Sequence, residues 1–493
     1  MNISKKTRFF SLVLGILMLC ACFLTACNSD GDTEETTAAT TLPPAEETKE
    51  ITIENWLPIK DYGENGGAGE VTLLTFNTYN NNYMLIQQED SADPLRSEAY
   101  SRTQKIQEKF NVALKPIETN KVTDELQASL MGQGGEYDII YPHPDNATPI
   151  TELALVVDLY SFENIHLDEP WWNQSVETFT IDGKIFFAAS DYSICGQGLP
   201  AYIYNRDLWR ELQLDQKYDL NTLIHNKEWN IFLFRQIVME YGSDVDNNDK
   251  YDLQDRYGLL FGGGNPYFWS MGGQVISKDS NGEYYLSLDI DRTSSMATAL
   301  YDLVFSSEHK VFELDATSWA QFPNSEGWTA FKTGQSLFMQ YELGAMFNLL
   351  PQVKFDLGYA PLPLYENGQD YRTLCGAGFF MIPKKTENPE RNSIILEALC
   401  IDSYTGFRDV FFHTILLGRL SNVEEDYEML KMLHESKIYD LGYTWAKGGS
   451  NVLLKNVILN RDPNVAAVIK GRWREMSKTL EYIEMIRNGV YSQ

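Results

Sequence analysis

Apolar and polar positions along the first part of the chain follow the periods of strands and helices in turn. The continuous apolar run at 71–76 predicts a buried strand, and 94–110 carries apolar residues on one helical stripe after an initial proline. A second strand at 111–117, a helix at 124–131 and a third strand at 137–140 follow. This β-α-β-α-β order predicts a parallel sheet with helices on both faces.

A change of pattern at 185–205 predicts a hinge. A strand-like run enters the glycine-containing stretch CGQGLP, and a strand that leads into a helix resumes after it. Further strands are predicted at 336–342, within 356–371 and at 376–383, and the tail that follows is mainly helical. Two α/β lobes, between which the chain crosses more than once, explain this order.

Each predicted lobe is therefore built from two separate stretches of the sequence. The predicted segments are a signal peptide at 1–26, a tether at 27–50, the first lobe at 51–195 and 373–435, and the second lobe at 196–372 and 436–493.

The N terminus has the pattern of an export signal. Three basic residues among the first eight precede an uncharged apolar run at 9–23, which is shorter than the roughly 20 apolar residues of a stable membrane span. An uncut signal anchor is the alternative interpretation. The sequence Leu24-Thr25-Ala26-Cys27 follows and resembles the lipobox of bacterial lipoproteins. That resemblance implies that Cys27 carries a diacylglyceryl group, with palmitate as a typical acyl chain, and holds the protein at the outer face of the membrane.

Residues 28–50 are rich in Thr, Glu, Ala and Pro and nearly free of large apolar side chains. Such a segment buries too little surface to fold, so we expect a flexible tether. No segment beyond the signal is long and apolar enough to cross a membrane.

Composition narrows the class of protein without naming a ligand. The chain is 43% hydrophobic, as expected for a large core, and its net charge of −29 opposes binding to nucleic acid or to anionic membrane surfaces. Cys195, Cys375 and Cys400 are isolated and lack the spacing of a zinc site. Either a Cys195–Cys375 disulfide or buried free thiols fit this pattern.

Four motifs, in this order, resemble those of the extracellular solute-binding proteins of bacterial ABC importers, the family of maltose-type sugar receptors. The motifs are YNRDLW at 204–209, NPYFW at 265–269, FKTGQSLF at 331–338 and DLGYAPLP at 356–363. The chain departs from the family pattern at Trp229, which no acid follows two residues on. The resemblance implies an α/β, two-lobed periplasmic-binding-protein-like fold with a hinge and an interlobe cleft. It also implies delivery of a carbohydrate-like solute, such as an oligosaccharide, to importer permease subunits.

The carboxyl ends of parallel strands are where ligands bind in open α/β sheets, and this rule selects candidate residues. Aromatic rings stack on the apolar faces of sugars, while Asp145 and Glu342 accept hydrogen bonds from hydroxyls. Structural packing is the alternative for every aromatic, and for Trp171 and Trp172 we expect a loop contact. The predicted ligand-binding residues are Asn77, Tyr141, Asp145, Tyr192, Tyr267, Trp269, Tyr341, Glu342 and Trp445.

Residues 244–255 have the oxygen spacing of a calcium loop. Counting from the first aspartate, position 6 is Asp249 instead of glycine, and position 12 is aspartate instead of glutamate. An exposed acidic turn is the alternative. The predicted ligands are Asp244, Asp246, Asn248, Lys250 through its carbonyl, Asp252 and Asp255.

An extracellular enzyme of the glycoside hydrolase type is the main alternative function, and a receptor that presents its ligand to a sensor is another. A hydrolase needs two carboxylates at a fixed separation, which a sequence does not reveal. The chain has no HExxH, GxSxG or phosphate-binding loop motif, so we expect a binding protein without catalytic residues. Oligosaccharide, peptide and uronate all remain open as solutes.

Overall fold

Two separate β-sheets organise the chain, one in each of two lobes. The computed structural model describes residues 49–64, 66–76, 86–193, 199–314, 325–343, 352–376, 378–445 and 447–489.

The first lobe is built on a three-stranded parallel sheet with the order β2-β1-β3. The predicted β-α-β-α-β order is therefore confirmed, and the predicted helix at 94–110 has the bounds observed for α2, whose first turn is capped by Asp93. Its elements are α1 (Ile53–Trp56), β1 (Gly69–Phe76), α2 (Pro94–Phe110), β2 (Val112–Thr119), α3 (Val122–Met131), β3 (Ile139–Tyr141) and α4 (Pro144–Glu152).

The second lobe is built on a mixed sheet with the order β11-β4-β10-β6-β5, in which β9 also pairs with β6. Strands β4, β10, β6 and β11 are almost entirely buried, which is typical of a sheet covered by helices on both faces. The strands are β4 (Pro200–Asn205), β5 (Gly242–Ser243), β6 (Arg256–Phe261), β7 (Ile276–Lys278), β8 (Tyr284–Leu286), β9 (Val311–Glu313), β10 (Ser336–Glu342) and β11 (Leu357–Pro361). The helices are α5 (Arg206–Glu211), α6 (Leu220–His225), α7 (Ile231–Val238), α8 (Tyr267–Ser270), α9 (Ile290–Phe305) and α10 (Glu326–Lys332).

Three segments connect the lobes. The first enters the second lobe at Pro200, and the second leaves it after Pro361 and returns beside β3, where Met381 bridges Ile140. The third runs from Ser421 to Asp440. Strands β12 (Thr373–Leu374) and β13 (Lys437–Ile438) pair in parallel, so the second and third connections are joined to each other.

The C-terminal part is helical, as predicted. It comprises α11 (Pro389–Asp402) with π-helical continuations at Ser403–Phe407 and Val410–Leu420, then α12 (Glu424–Glu435), α13 (Leu441–Thr444), a 3-10 segment (Lys447–Val452), α14 (Leu453–Asn460) and α15 (Val465–Arg487). Within the described ranges, none of these helices is both apolar and long enough to traverse a bilayer.

Two of the cysteines are buried free thiols. Cys375 donates to the Tyr439 hydroxyl at 3.4 Å, and burial raises the pKa of the Cys400 thiol. A Cys195–Cys375 disulfide is therefore absent from this structure, and Cys195 lies outside the described residues.

A buried carboxylate fixes the loop around Trp171 and Trp172, which confirms their expected place in a loop contact. The two indole N–H groups donate to the two oxygens of Glu397 on α11, at 2.8 and 2.9 Å. His166 also lies 3.0 Å from this carboxylate through Nδ1. All of these partners lie far from Glu397 in sequence, so one side chain on α11 holds the loop to the first lobe.

We predict that Glu397→Ala destabilises the fold, because each buried indole N–H left unpaired costs about 1–3 kcal/mol. Denaturant unfolding measures this change. Glu390→Gln on the same helix is the matched control, because its pair with Lys60 is exposed and is worth about 1 kcal/mol at most. Equal losses in the two variants would contradict the role of Glu397.

The same network gives a pH dependence. The hydrogen bond to Glu397 raises the pKa of His166, against the opposing effect of burial. A pKa raised in the folded state stabilises the fold below the unfolded value of about 6.5 and ceases to do so as the pH rises through the folded value. The melting temperature of the wild type should therefore fall between pH 6 and 8 relative to that of His166→Gln. An equal dependence of melting temperature on pH in the two proteins would contradict the role of His166.

Candidate functional site

One edge of the second-lobe sheet faces the first lobe. Strand β10 ends there at Glu342, opposite Pro200, where β4 begins, and β11 ends there at Pro361, opposite Ala201. The parallel pairing of β6 with β10 brings the end of β6, Phe261, to the same edge. Because both Pro200 and Pro361 continue into connections to the first lobe, this edge adjoins the hinge. We call it the second-lobe edge.

A buried glutamine ties the chain after β6 to β10 at this edge. Gln340 accepts from the backbone N–H of Gly262 at 3.2 Å and donates to the Gly263 carbonyl at 3.0 Å. Asn265 follows at once, and its side-chain oxygen is buried without a hydrogen-bond partner in the described part of the chain. Polar groups of 262–265 and the end of β10 therefore lie side by side.

The facing edge of the first lobe is formed by the carboxyl ends of β1 and β3. Phe76 and Tyr141 stack at 6.0 Å there. The second connection enters at this point and needs a glycine, because a Cβ at Gly378 would lie 2.6 Å from the Pro142 carbonyl and 2.7 Å from the Tyr141 ring. The hinge is thus packed directly against the first-lobe edge.

Tyr192 completes this part of the hinge. Its ring contacts Tyr141 edge-on at 5.5 Å and Phe380 at 4.8 Å, and the guanidinium of Arg102 lies 4.4 Å from its ring centre. The structure therefore brings together two of the predicted residues, Tyr141 and Tyr192, at the place where the first connection leaves the first lobe.

Away from the hinge the two lobes touch at a second place, which we call the interlobe seam. Thr148 of α4 donates to the carbonyl of Thr444 on α13 at 2.8 Å. Lys447, just after α13, lies 2.8 Å from Glu152 at the end of α4. Helix α4 belongs to the first lobe, whereas α13 packs on Val275 of the second lobe through Gly442.

A buried polar group supports α13 from the second-lobe side. Asp440 caps α13 by accepting from the Tyr443 N–H at 3.0 Å, and Tyr443 packs edge-on against Trp269 at 5.3 Å. Burial raises the pKa of the Asp440 carboxyl, while the Trp269 indole and the Arg372 guanidinium act in the opposite direction. Trp269 and Trp445 are therefore part of the structure that carries the seam.

All six predicted aromatic residues are at most 2% exposed. Tyr267 packs on Phe261 and its hydroxyl contacts that of Tyr202 within the second-lobe core. Tyr341 lies against Trp328 at 6.2 Å. Stacking on a solute requires an open ring face, which none of the six presents in this conformation. Their role in binding stays a prediction, and Tyr267 occupies a core position.

Glu342 is the predicted residue that the structure leaves open to solvent. Although its side chain is exposed, the protein around it raises the pKa of its carboxyl by removing water. Exposure together with crowding is typical of a group on a concave surface. Asp145 lies in the first turn of α4, at the first-lobe edge, and Asn77 lies outside the described residues.

The acidic loop between β5 and β6 gathers three of its predicted ligands. Carboxylate oxygens of Asp244, Asp246 and Asp255 all lie within 4.8 Å of one another. Asn248 is next to them, because its amide donates to Asp246 at 2.6 Å. Oxygen donors at this spacing fit a hard cation such as calcium.

The backbone of the loop accommodates Asp249, the departure at position 6 of the calcium-loop pattern. Asp249 has a φ of +60°, the left-handed conformation for which glycine is usual at this position. Its N–H donates to Asp244 at 2.8 Å. Asp252 accepts from the N–H of Gln254 at 2.8 Å, and Lys250 donates its N–H to the Asn248 side chain at 2.7 Å. Asp252 and the carbonyl of Lys250 stay predicted ligands.

No sequence pattern pointed to the four residues that form the seam. Thr148 and Thr444 are 296 positions apart, and Glu152 and Lys447 are 295 apart, so no local spacing connects them. Gln340 and Asn265 were also missed. They lie within the strand and the aromatic motif that marked this edge, and the polar positions of those two segments were the available signal.

The comparisons with known proteins agree with this geometry. A family model described as bacterial extracellular solute-binding protein matches residues 88–392, more than half of the 493-residue chain. The chain therefore belongs to the bacterial extracellular solute-binding proteins, a family that binds ligands and serves ABC importers. No curated protein sequence matches it.

Solved structures of two-lobed binding proteins share the fold at low sequence identity. They include the GacH receptor of Streptomyces glaucescens, solved with acarbose (TM-score 0.56, 13% identity, covering 83% of this chain and 99% of the other). Lmo0181 of Listeria monocytogenes, an ABC substrate-binding protein solved with cycloalternan, has a TM-score of 0.54 at 13% identity and covers 84% and 99%. UgpB of Mycobacterium tuberculosis, solved with glycerophosphocholine, has the same four values. At this identity the likeness establishes the two-lobed fold.

Proposed function

We propose that the protein captures a carbohydrate-like solute between its lobes and delivers it to the permease subunits of an ABC importer. The observation that carries this proposal is the second-lobe edge beside the hinge, where β10 ends at the open carboxylate of Glu342. A carboxylate is a strong acceptor for sugar hydroxyls. Two fold relatives solved with acarbose and cycloalternan support a carbohydrate ligand.

The seam contacts supply a way to hold the lobes together over the solute. If the closed form is the one that holds the solute, a larger closed population before binding gives a smaller apparent dissociation constant for the solute. The Thr148 and Lys447 contacts favour the closed form and therefore favour binding.

We predict that the mature domain binds members of a glycan library, as measured by calorimetry, and that the bound form has a smaller radius of gyration in scattering. Glu152→Gln removes the ion pair with Lys447 and should weaken binding several-fold by lowering the closed population. Glu435→Gln, which breaks an exposed pair with Lys431 on α12, is the matched control and should leave affinity unchanged.

Two outcomes would contradict this proposal. Absence of binding across the whole glycan library would remove the carbohydrate assignment. Turnover of a bound glycan into smaller products would instead favour a secreted carbohydrate-active enzyme, the alternative function.

We propose in addition that the 244–255 loop holds one structural calcium ion. The three carboxylates of Asp244, Asp246 and Asp255 repel one another at their present spacing, and a divalent cation offsets this repulsion. The left-handed Asp249 supports the turn that such a site needs.

Calcium added after chelator treatment should raise the melting temperature, since an ion that binds the native state stabilises it by about 2.7 kcal/mol at 100 times its dissociation constant. Asp246→Ala should abolish the shift, and Asp215→Ala, an exposed aspartate in the same lobe, should keep it. A wild-type melting curve that calcium leaves unchanged would identify the loop as an acidic turn.

We further propose that Cys27 anchors the protein to the outer face of the cell membrane. Its place directly after the apolar run and Leu24-Thr25-Ala26 supports this, although Cys27 lies outside the described residues. Cys27→Ser should release the protein into the medium or leave the unprocessed precursor. Intact-mass analysis that finds an unmodified mature N terminus on the wild type would contradict the anchor.

A further inference from the structure

The second-lobe edge carries one negative charge without a positive partner. Glu342 is exposed at the end of β10, and no hydrogen bond or ion pair joins its carboxylate to a residue in the described ranges. The protein around it raises the pKa of this carboxyl by removing water, and no charged neighbour in the described part of the chain adds to that effect or opposes it.

Three cations described near the hinge and the seam, Arg408, Lys447 and Arg372, each have an acidic neighbour. Arg408 lies 2.7 Å from Asp191, beside Tyr192, and Lys447 lies 2.8 Å from Glu152. Arg372 has the buried Asp440 as its charged neighbour. These pairs carry no net charge, so they leave the negative charge of Glu342 uncompensated.

The uncompensated negative charge of Glu342 has a direct consequence for a solute that enters between the lobes. Closure removes water and strengthens every charge interaction in the cleft. A solute anion placed beside an uncompensated carboxylate would be repelled, whereas a hydroxyl or a protonated amine would donate to it.

We infer that Glu342 selects the charge class of the solute: neutral or cationic solutes that present a hydrogen-bond donor are accepted, and anionic solutes such as uronic-acid glycans are excluded. This inference rests on the proposed function, because it assumes that the solute binds at the second-lobe edge. It separates the solutes that the sequence left open, since uronates are acids at neutral pH.

The charge of Glu342 can be removed with little change in the shape of the side chain. Glutamine has the same shape and keeps an acceptor oxygen, and the exposed position on β10 tolerates the loss of charge. Glu211→Gln is the matched control, because Glu211 is exposed at the end of α5 in the same lobe.

The experiment measures binding of three charge classes to the mature domain by calorimetry. The probes are neutral glycans, amino-sugar glycans and uronic-acid glycans of equal length, together with neutral, lysine-containing and glutamate-containing tripeptides. In the wild type, binding should be confined to neutral and cationic members. Glu342→Gln should weaken the binding of cationic members about tenfold or more relative to the binding of neutral members. The ratio of the affinity for neutral members to the affinity for acidic members should fall by a similar factor.

Wild-type affinity for acidic members equal to that for neutral members would overturn the inference. So would an unchanged charge ranking in Glu342→Gln with a wild-type melting temperature. Binding of peptides alone would remove the carbohydrate proposal and would leave the inference standing, because the ranking is measured within each chemical class.

Discussion

The pairing of β4 between β10 and β11 is the constraint from which the site follows. Because β4 runs antiparallel to both neighbours, its first residue, Pro200, lies where β10 ends at Glu342 and where β11 ends at Pro361. The chain therefore enters and leaves the second lobe at a single edge of the sheet. Any ligand group that binds at the strand ends also lies beside the hinge, and movement of the hinge changes its surroundings directly.

The sequence predicted helices and strands correctly where a single local property, such as burial or helix capping, determines them. The apolar run at 71–76 and the capped, proline-initiated helix at 94–110 both occur as expected, because burial and helix capping are local properties. The carboxyl-end rule correctly placed Tyr141 and Glu342 at sheet edges. It could not say which side chains pack against neighbouring core residues, and for that reason the six aromatic residues chosen as ligand-binding are buried.

The seam marks the limit of such reasoning. Thr148 and Glu152 lie on a helix of the first lobe, and their partners Thr444 and Lys447 belong to the second. Each pair is made by two folded bodies meeting, which depends on the hinge and not on the sequence near either residue. The Trp171–Glu397 contact lies within the first lobe but is also distant in sequence, and a buried carboxylate is acceptable only after distant N–H groups have been brought to it.

The short ribbon formed by β12 and β13 changes how many ways the lobes can move. Three connecting segments that did not contact one another would allow the two lobes to bend, twist and slide in several combinations. Here the second and third connections are hydrogen-bonded to each other, and the second is pressed against the first lobe at Gly378. The ribbon of β12 and β13 resists sliding of one strand along the other, but it bends easily perpendicular to its plane, as a two-stranded ribbon does. We therefore expect the lobes to open mainly by bending across this ribbon.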